Sequence, residues 1–186
     1  MLSIGCLLLL GVTAISQAQE LITAQTLMSD IKGIDAGVNA LTASLIAYNG
    51  DIVSETPIAG DIAAIHLANR KGFADANLRA TPFNTTDTIK IVDYTTDSVG
   101  YDIPRSVDIL MTKKPDFEAT GQDPVILAGL QLLLNDHDTF SAALLSKTTG
   151  DEVAGDAVVK KIHDSIQGGI DYYSSQTMSS RTRGCV

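Results

Sequence analysis

Residues 31–45, IKGIDAGVNALTASL, carry an apolar side chain at every third or fourth position. This spacing places those side chains on one face of a helix, whereas a strand would alternate them. We therefore predict an amphipathic helix from about Leu21 to Tyr48 that ends at Asn49-Gly50. The apolar stripe of this helix consists of Ile31, Ile34, Val38, Leu41 and Leu45.

The same spacing recurs four times downstream, in segments that have their own start signals. A threonine or aspartate followed by proline predicts two helix starts, because proline at the first helical position loses no hydrogen bond. Short linkers between five amphipathic helices favour an all-α, antiparallel five-helix bundle with a single core. The four further predicted helices start at Thr56-Pro57, near Thr86, at Asp123-Pro124 and at a capping box from Thr149 to Glu152.

The third predicted helix, which runs from Thr86 to Lys113-Lys114, has a weak point. Pro104 removes one backbone hydrogen bond, and Gly100 lies one turn before it. Proline inside a helix also clashes with the carbonyl group four residues back. We therefore expect a kink or a break near Gly100-Pro104.

The ends of the chain have a different composition from its middle. Residues 1–18 contain an apolar run that fades by Ile15 and is followed by Ser16-Gln17-Ala18, a pattern typical of a secretory signal peptide. The run is shorter than the roughly 20 apolar residues of a membrane span. We predict a signal peptide at 1–18, a helical domain at 19–173 and a flexible tail at 174–186, in a secreted, extracellular or cell-wall protein with no transmembrane span.

Charge and cysteine content narrow the function further. The formal net charge is −9, so we expect no nucleic-acid partner, because binding to phosphates needs a basic surface. Cys6 belongs to the predicted signal peptide, which leaves Cys185 alone near the end of the chain. An internal disulfide is thereby excluded, and Cys185 is either a free thiol or paired with another chain.

The residues typical of catalytic and metal sites do not form a recognisable motif. The histidines, His66, His137 and His163, lie in predicted helices, and we interpret them as solvated rather than as metal ligands. Lys160-Lys161 would suit a carboxylate head group, but paired lysines are more often a solvent-exposed face. A Ser-His-Asp triad assembled from distant residues stays open. We expect no cofactor, no metal and no enzymatic activity.

One modification signal is present. Asn84-Thr85-Thr86 is an acceptor for N-glycosylation on a chain that we expect to enter the secretory pathway. We therefore predict a glycan at Asn84.

Two stretches resemble a known family. At residues 113–117, KKPDF, followed by Gly121 and the PVIL of residues 124–127, the chain resembles the fungal hydrophobic-surface-binding protein A family, which includes cell-wall galactomannoproteins. The stretch IDAGVNAL at residues 34–41 is similar to the opening helix of that family. The resemblance covers about Leu21 to Tyr173. It departs from the family at residues 99–104, where an uninterrupted helix is expected.

The resemblance implies a secreted or wall-associated protein that adsorbs to hydrophobic surfaces, assists lipolytic enzymes there, or carries long-chain fatty acids between its helices. Three other hypotheses stay open: a surface coat, a wall mannoprotein or antigen without a ligand, and a secreted hydrolase. For a carrier, a core of medium-sized aliphatic side chains leaves room for an acyl chain. The predicted cavity residues are Leu41, Leu45, Ile65, Phe73, Leu110, Leu130, Phe140, Ile162 and Ile166.

Overall fold

The computed structural model describes the backbone of residues 22–181 and the side chains of residues 22–175. Within this range the chain forms helices and no strand, which confirms the predicted all-α class. None of the helices in this range is both long and apolar enough to cross a membrane. Residues 22–181 form seven helices: α1 Ala24–Ala47, α2 Ile52–Leu78, α3 Thr85–Asp97, α4 Val99–Thr112, α5 Lys114–Thr120, α6 Asp123–Leu145 and α7 Glu152–Arg181.

Five of these helices form a closed ring. Helix α1 packs on α2, α2 on α6, α6 on α7, α7 on α4, and α4 on α1. Ring neighbours are not all antiparallel: Ile62 lies against Gly129, and further along both helices His66 pairs with Asp136, so α2 and α6 run in the same direction. The apolar faces of the five helices therefore meet in one core.

The predicted third helix is divided into α3 and α4 at Ser98, so the count of five helices is wrong. The break lies two residues before Gly100 and not at Pro104, which is inside α4. The hydroxyl group of Ser98 donates to the carbonyl oxygen of Tyr94 at 2.6 Å, a local bond that competes with a continuing helix. Gly100 then lies against Val158, where a Cβ atom would come within 2.8 Å of the valine side chain. The chain therefore bends where the Ser98 hydroxyl bonds to the preceding turn and Gly100 packs closely against Val158.

Helix α2 begins earlier than its Thr56-Pro57 signal predicts. Its N-cap is Asp51, whose carboxylate accepts hydrogen bonds from the backbone N–H groups of Val53 and Ser54 at 2.8 and 2.9 Å. Pro57 consequently lies inside the helix. The aspartate cap satisfies two free backbone donors at once, so it takes precedence over the threonine.

The capping box predicted at Thr149 is also wrong. The backbone N–H of Thr149 donates to the hydroxyl of Thr88 on α3, and α7 begins at Glu152. The carboxylate of Glu152 accepts instead from the backbone N–H of Gly150, at 2.9 Å.

The segment after α4 contains a helix that the sequence analysis misses. Pro115 does not terminate helical structure here, because it lies in the first turn of α5. Phe117 is fully buried, and its ring stacks on Tyr48 with 4.4 Å between the centroids. Gly121 ends α5 in the left-handed conformation, with φ at +72°, as expected for a sharp bend. Helix α6 follows, with Asp123 as its first residue rather than its cap.

Two predicted segments extend beyond this description. The signal peptide at 1–18 lies outside the described residues, and so do Cys185 and the end of the tail. The backbone of α7 continues to Arg181, past Tyr173, where the sequence analysis ends the domain. The domain boundaries stay predictions.

Candidate functional site

The five helices of the ring enclose a cavity of about 90 Å³. Helix α3 contributes Thr95 to its wall, so six helices build it. A cavity needs roughly 10–15 Å³ to hold one water, and this cavity is well above that minimum. Most of the wall is aliphatic, and an apolar cavity of this kind favours an apolar occupant over water.

Seven of the nine predicted cavity residues lie in this wall. The other two do not: Leu45 is fully buried elsewhere in the core, and Phe73 is half-buried with the guanidinium group of Arg70 4.5 Å from its ring centroid. Contact of these residues with a ligand stays a prediction. The seven that line the cavity are Leu41, Ile65, Leu110, Leu130, Phe140, Ile162 and Ile166.

Glycines determine how closely the wall helices approach. A Cβ atom at Gly72 would lie 2.7 Å from the ring of Phe140, and one at Gly37 would lie 2.8 Å from Ile65. Both contacts bring the backbone of one helix against a cavity-lining side chain of its neighbour. Close packing at these two glycines thus holds the wall helices together, while the inward-facing aliphatic side chains leave the centre open.

Polar groups also line the cavity. Thr95 and Asn69 donate to carbonyl oxygens one turn earlier in their own helices, at 2.7 and 3.0 Å. Ser106 is only 4% exposed and also lies in the wall. The polar wall residues are Asn69, Thr95, Ser106, His137 and Ser141.

His137 is buried, so its predicted position on a solvated face is wrong. Its Nε2 atom lies 3.1 Å from the carbonyl oxygen of Val159 on α7, and its Nδ1 atom lies 3.3 Å from Oγ of Ser141. A carbonyl oxygen only accepts, so Nε2 carries the proton, and Nδ1 accepts from the serine hydroxyl. Burial lowers the pKa of His137 below its ordinary value, and the carbonyl of Val159 opposes this shift. The imidazole is therefore neutral at neutral pH.

The other two histidines join helices outside the cavity. His66 on α2 lies 2.6 Å from Asp136 on α6, and His163 on α7 lies 2.8 Å from Asp138 on α6. Asp136 is almost fully buried, and its second oxygen has no partner. In the part of the chain that the structure describes, histidine, cysteine and acidic side chains form no cluster of three that could hold a metal ion.

The hydroxyl–imidazole pair in the cavity differs from a hydrolase triad. A triad places a carboxylate on the second nitrogen of the histidine, where it stabilises the imidazolium formed during the reaction. In this chain the second nitrogen of His137 faces the backbone carbonyl of Val159. The pair therefore lacks the carboxylate that a triad places on the second nitrogen.

Among the described residues of the cavity wall, none carries a formal charge. Lys160-Lys161, considered above as a head-group site, is exposed, and the ammonium group of Lys160 pairs with Asp164 on the same helix. The described part of the wall thus offers a bound carboxylate no Lys or Arg partner.

The polar wall residues escape the sequence analysis because they occupy stripe positions. Along α6 the wall contains Leu130, Leu133, His137, Phe140 and Leu144, an unbroken three-and-four spacing. That periodicity is the signal that identifies His137 as an inward-facing residue. The interpretation of His137 as a solvated residue overlooks it.

Asn84, the predicted glycosylation site, is exposed at the start of α3. Its side-chain oxygen accepts from the backbone N–H of Asp87 at 2.9 Å, which makes it the N-cap of this helix. The site lies outside the cavity wall, and its modification stays a prediction.

Solved structures share this fold. The protein AFMP4P in complex with palmitic acid is 22% identical, with a TM-score of 0.77 over 81% of this chain and 99% of that one. Ligand binding domain 1 of the Penicillium marneffei MP1 protein, complexed with arachidonic acids, is 22% identical, with a TM-score of 0.74 over 78% and 95%. Domain 2 of the same protein, complexed with multiple arachidonic acids, is 18% identical, with a TM-score of 0.73 over 79% and 93%.

Among curated protein sequences, none matches this chain. A family model does, and it covers α1 to α6. The model matches residues 24–146, which is more than half of the chain. The chain therefore belongs to the hydrophobic surface binding protein A family.

Proposed function

We propose that this chain is a non-enzymatic binding protein that holds a long-chain fatty acid or a similar acyl lipid in the cavity between its helices. The observation that carries the proposal is the largely aliphatic cavity inside the ring, with a few polar groups in its wall. Small-molecule sites typically combine an apolar wall with a small number of placed polar groups. The fatty acids bound by structures of the same fold support this assignment.

The size of the cavity indicates how the ligand enters. A cavity of about 90 Å³ suits part of a long acyl chain. Binding of the rest requires aliphatic side chains to change rotamer or helices to separate. Each methylene group transferred from water contributes about 0.8 kcal/mol, which offsets the cost of such a change.

A cavity-filling variant tests the proposal. Ser106→Leu adds apolar volume inside the wall, so retention of palmitic acid in native mass spectrometry should fall at least about tenfold. The control is Asp108→Leu, which adds the same side chain to the exposed face of the same helix. Circular dichroism on both variants verifies that the helices are intact. Equal retention by the two variants would contradict binding in the cavity.

A second candidate function, adsorption to hydrophobic surfaces, is favoured by a separate observation. Large apolar side chains are exposed around the turn between α1 and α2: Ile46 by 59%, Ile52 by 72% and Val53 by 82%. Contiguous exposed apolar residues often mark interaction sites.

Adsorption to polystyrene beads at rising salt tests this second function. We expect the wild-type protein to remain bound, because hydrophobic adsorption survives salt and electrostatic adsorption does not. The double variant Ile52→Ser/Val53→Ser should adsorb less than Val153→Ser, which removes an equally exposed valine at the start of α7. Equal adsorption of the two would exclude the α1–α2 turn as the adsorbing surface.

Location and partners complete the proposal. A secreted or wall-associated position is supported by the leader-like residues 1–18 and by the sequon at Asn84. A role beside secreted lipolytic enzymes, and that of a mannoprotein antigen, stay predictions from the family resemblance. Detection of the protein in culture medium with a mature terminus near residue 19 tests the location.

A further inference from the structure

The cavity in the helix ring has polar groups in its wall but no formal charge. We infer that a fatty acid binds here as an uncharged complex, in which one proton is taken up from solution and shared between the ligand carboxyl group and the His137–Ser141 pair. This inference rests on the proposed function, because it assumes that the cavity accepts acyl chains.

Charge is the first support. An ionised carboxylate buried without a cationic partner or full hydrogen bonding is strongly unfavourable. The wall contains no lysine, arginine, aspartate or glutamate, and His137 is its single titratable residue among the described ones. A carboxyl group inside this wall must therefore be neutral or obtain its counter-charge from His137.

Within residues 22–175, the surroundings of His137 provide no other cation at the cavity. The titratable groups that face it are Asp138 on its own helix and His163 on α7, which pair with each other. On α2 the neighbouring turn carries His66, which pairs with Asp136. The wall residues from α1, α3 and α4 are not titratable. Both nearby carboxylates would repel an anion, so proton uptake is the favourable route.

Hydrogen-bond direction is the second support. Because Nε2 of His137 donates to Val159, its Nδ1 accepts from the hydroxyl of Ser141. In this state the pair offers the cavity lone pairs only. A carboxylate also offers only lone pairs, whereas a protonated carboxyl group or an alcohol has an O–H to donate. If the proton goes to His137 instead, Nδ1–H donates to Ser141, and the serine hydroxyl turns to the carboxylate. Both arrangements contain one additional proton.

The remaining polar wall residues are a third observation. Ser106 is 4% exposed and lies in the same wall as Asn69, Thr95 and the His137–Ser141 pair. Hydroxyl groups in the wall can form hydrogen bonds with an oxygen-bearing ligand but not with a pure hydrocarbon. The cavity is thus suited to a chain with a polar but uncharged end.

Calorimetric titration with octanoic acid and 1-octanol, between pH 6.5 and 8.5, tests the inference. The free ligand carboxyl group is ionised throughout this window, and burial holds the pKa of His137 below its ordinary value of 6.5, so neither free partner carries the proton. The affinity for octanoic acid should therefore rise about tenfold for each unit by which the pH falls. The affinity for 1-octanol should vary by less than about twofold, because no linked proton is involved.

Variants locate the proton. His137→Gln should lower the octanoic acid affinity at pH 6.5 by about tenfold, as expected for the loss of one hydrogen bond to a charged or shared-proton group. Lys161→Gln, which changes an exposed residue outside the cavity wall, should keep both the affinity and the pH slope.

The outcomes separate the two proposals. If both ligands bind and the octanoic acid affinity is independent of pH, the inference is overturned while the proposed function stands. Wild-type affinity and slope in His137→Gln would also overturn it, because the head group would then lie elsewhere. If neither ligand binds, the proposed function fails together with the inference.

Discussion

Single residues decide how closely the wall helices approach, and Gly72 is the clearest case. A methyl group there would lie 2.7–3.0 Å from three ring atoms of Phe140, which is too close for the aromatic side chain to remain in place. We expect Gly72→Ala to lower the free energy of unfolding by about 1–3 kcal/mol. Urea unfolding followed by circular dichroism measures this change.

The control for Gly72 lies in the same helix. Gly60 in α2 is exposed, and no atom lies within 4 Å of the place that a Cβ would take there, so an alanine meets open space. Gly60→Ala should stabilise the protein by about 0.5–1 kcal/mol, because alanine favours the helix. Similar effects from the two substitutions would show that helix propensity, rather than contact with Phe140, governs Gly72.

Asn84 combines a predicted glycan with a structural role. Asn84→Gln removes both the sequon and the N-cap of α3, and loss of the cap should cost about 1 kcal/mol. Thr86→Ala removes the sequon alone, because Thr86 is exposed and the cap stays. If Asn84 is modified, both variants from a eukaryotic host lose mass relative to the wild type. Without a glycan, wild-type and Thr86→Ala proteins will differ only by the substitution, and the prediction fails.

At the scale of helices, Gly121 fixes the bend between α5 and α6. Its φ of +72° is a left-handed conformation, which costs other residues roughly 1–2 kcal/mol. Gly121→Ala should destabilise the protein by this amount, whereas Gly121→Asn should cost less, because asparagine tolerates this region. No atom lies within 4 Å of a Cβ at Gly121, so a clash is not a competing cause. Equal urea midpoints for the two variants would contradict a backbone origin.

The contact between α1 and α4 should depend on pH. Burial and the neighbouring Asp102 raise the pKa of Asp35 above its ordinary value of 3.8. The folded state therefore binds a proton at Asp35 more readily than the unfolded state does. The stability that the protein gains from this at low pH is lost as the pH rises through the folded pKa. Asp35→Asn removes the cost of the charge, so it should stabilise the protein at pH 7.

The size of the Asp35→Asn effect should change with pH in one direction. The gain over wild type should shrink as the pH falls through the raised pKa, because the wild-type carboxyl is then protonated as well. Urea midpoints at several pH values measure this trend. A constant difference across the series would show that Asp35 titrates normally.

Helix boundaries show where local sequence signals are insufficient. Thr56-Pro57 and Thr149 are good start signals, yet Asp51 caps α2 with two hydrogen bonds, and the backbone of Thr149 is engaged by Thr88 on another helix. The break at Ser98 depends on the approach of Gly100 to α7. Such tertiary contacts involve residues from other helices. The exact helix boundaries that depend on them could therefore not be predicted from the sequence of one helix alone.

For the whole molecule, the three-and-four spacing was sufficient to predict an all-helical fold and a shared apolar core. It also identified side chains from five helices that meet at one cavity, because stripes must face each other in a bundle. It could not distinguish Leu45, buried in solid core, from Leu41, one turn away in the cavity wall. That difference depends on how the ring closes. The inward position of His137, in contrast, follows from the three-and-four spacing along α6.

The central claim is that an acyl chain occupies the inside of the ring. Intermolecular nuclear Overhauser effects between methyl-labelled protein and unlabelled palmitic acid test it most directly. The account predicts contacts from the acyl chain to the methyl groups of Leu130, Ile162 and Ile166 in the cavity wall. Contacts confined to the exposed methyl groups of Ile52 and Val53 would contradict it and place the lipid on the surface.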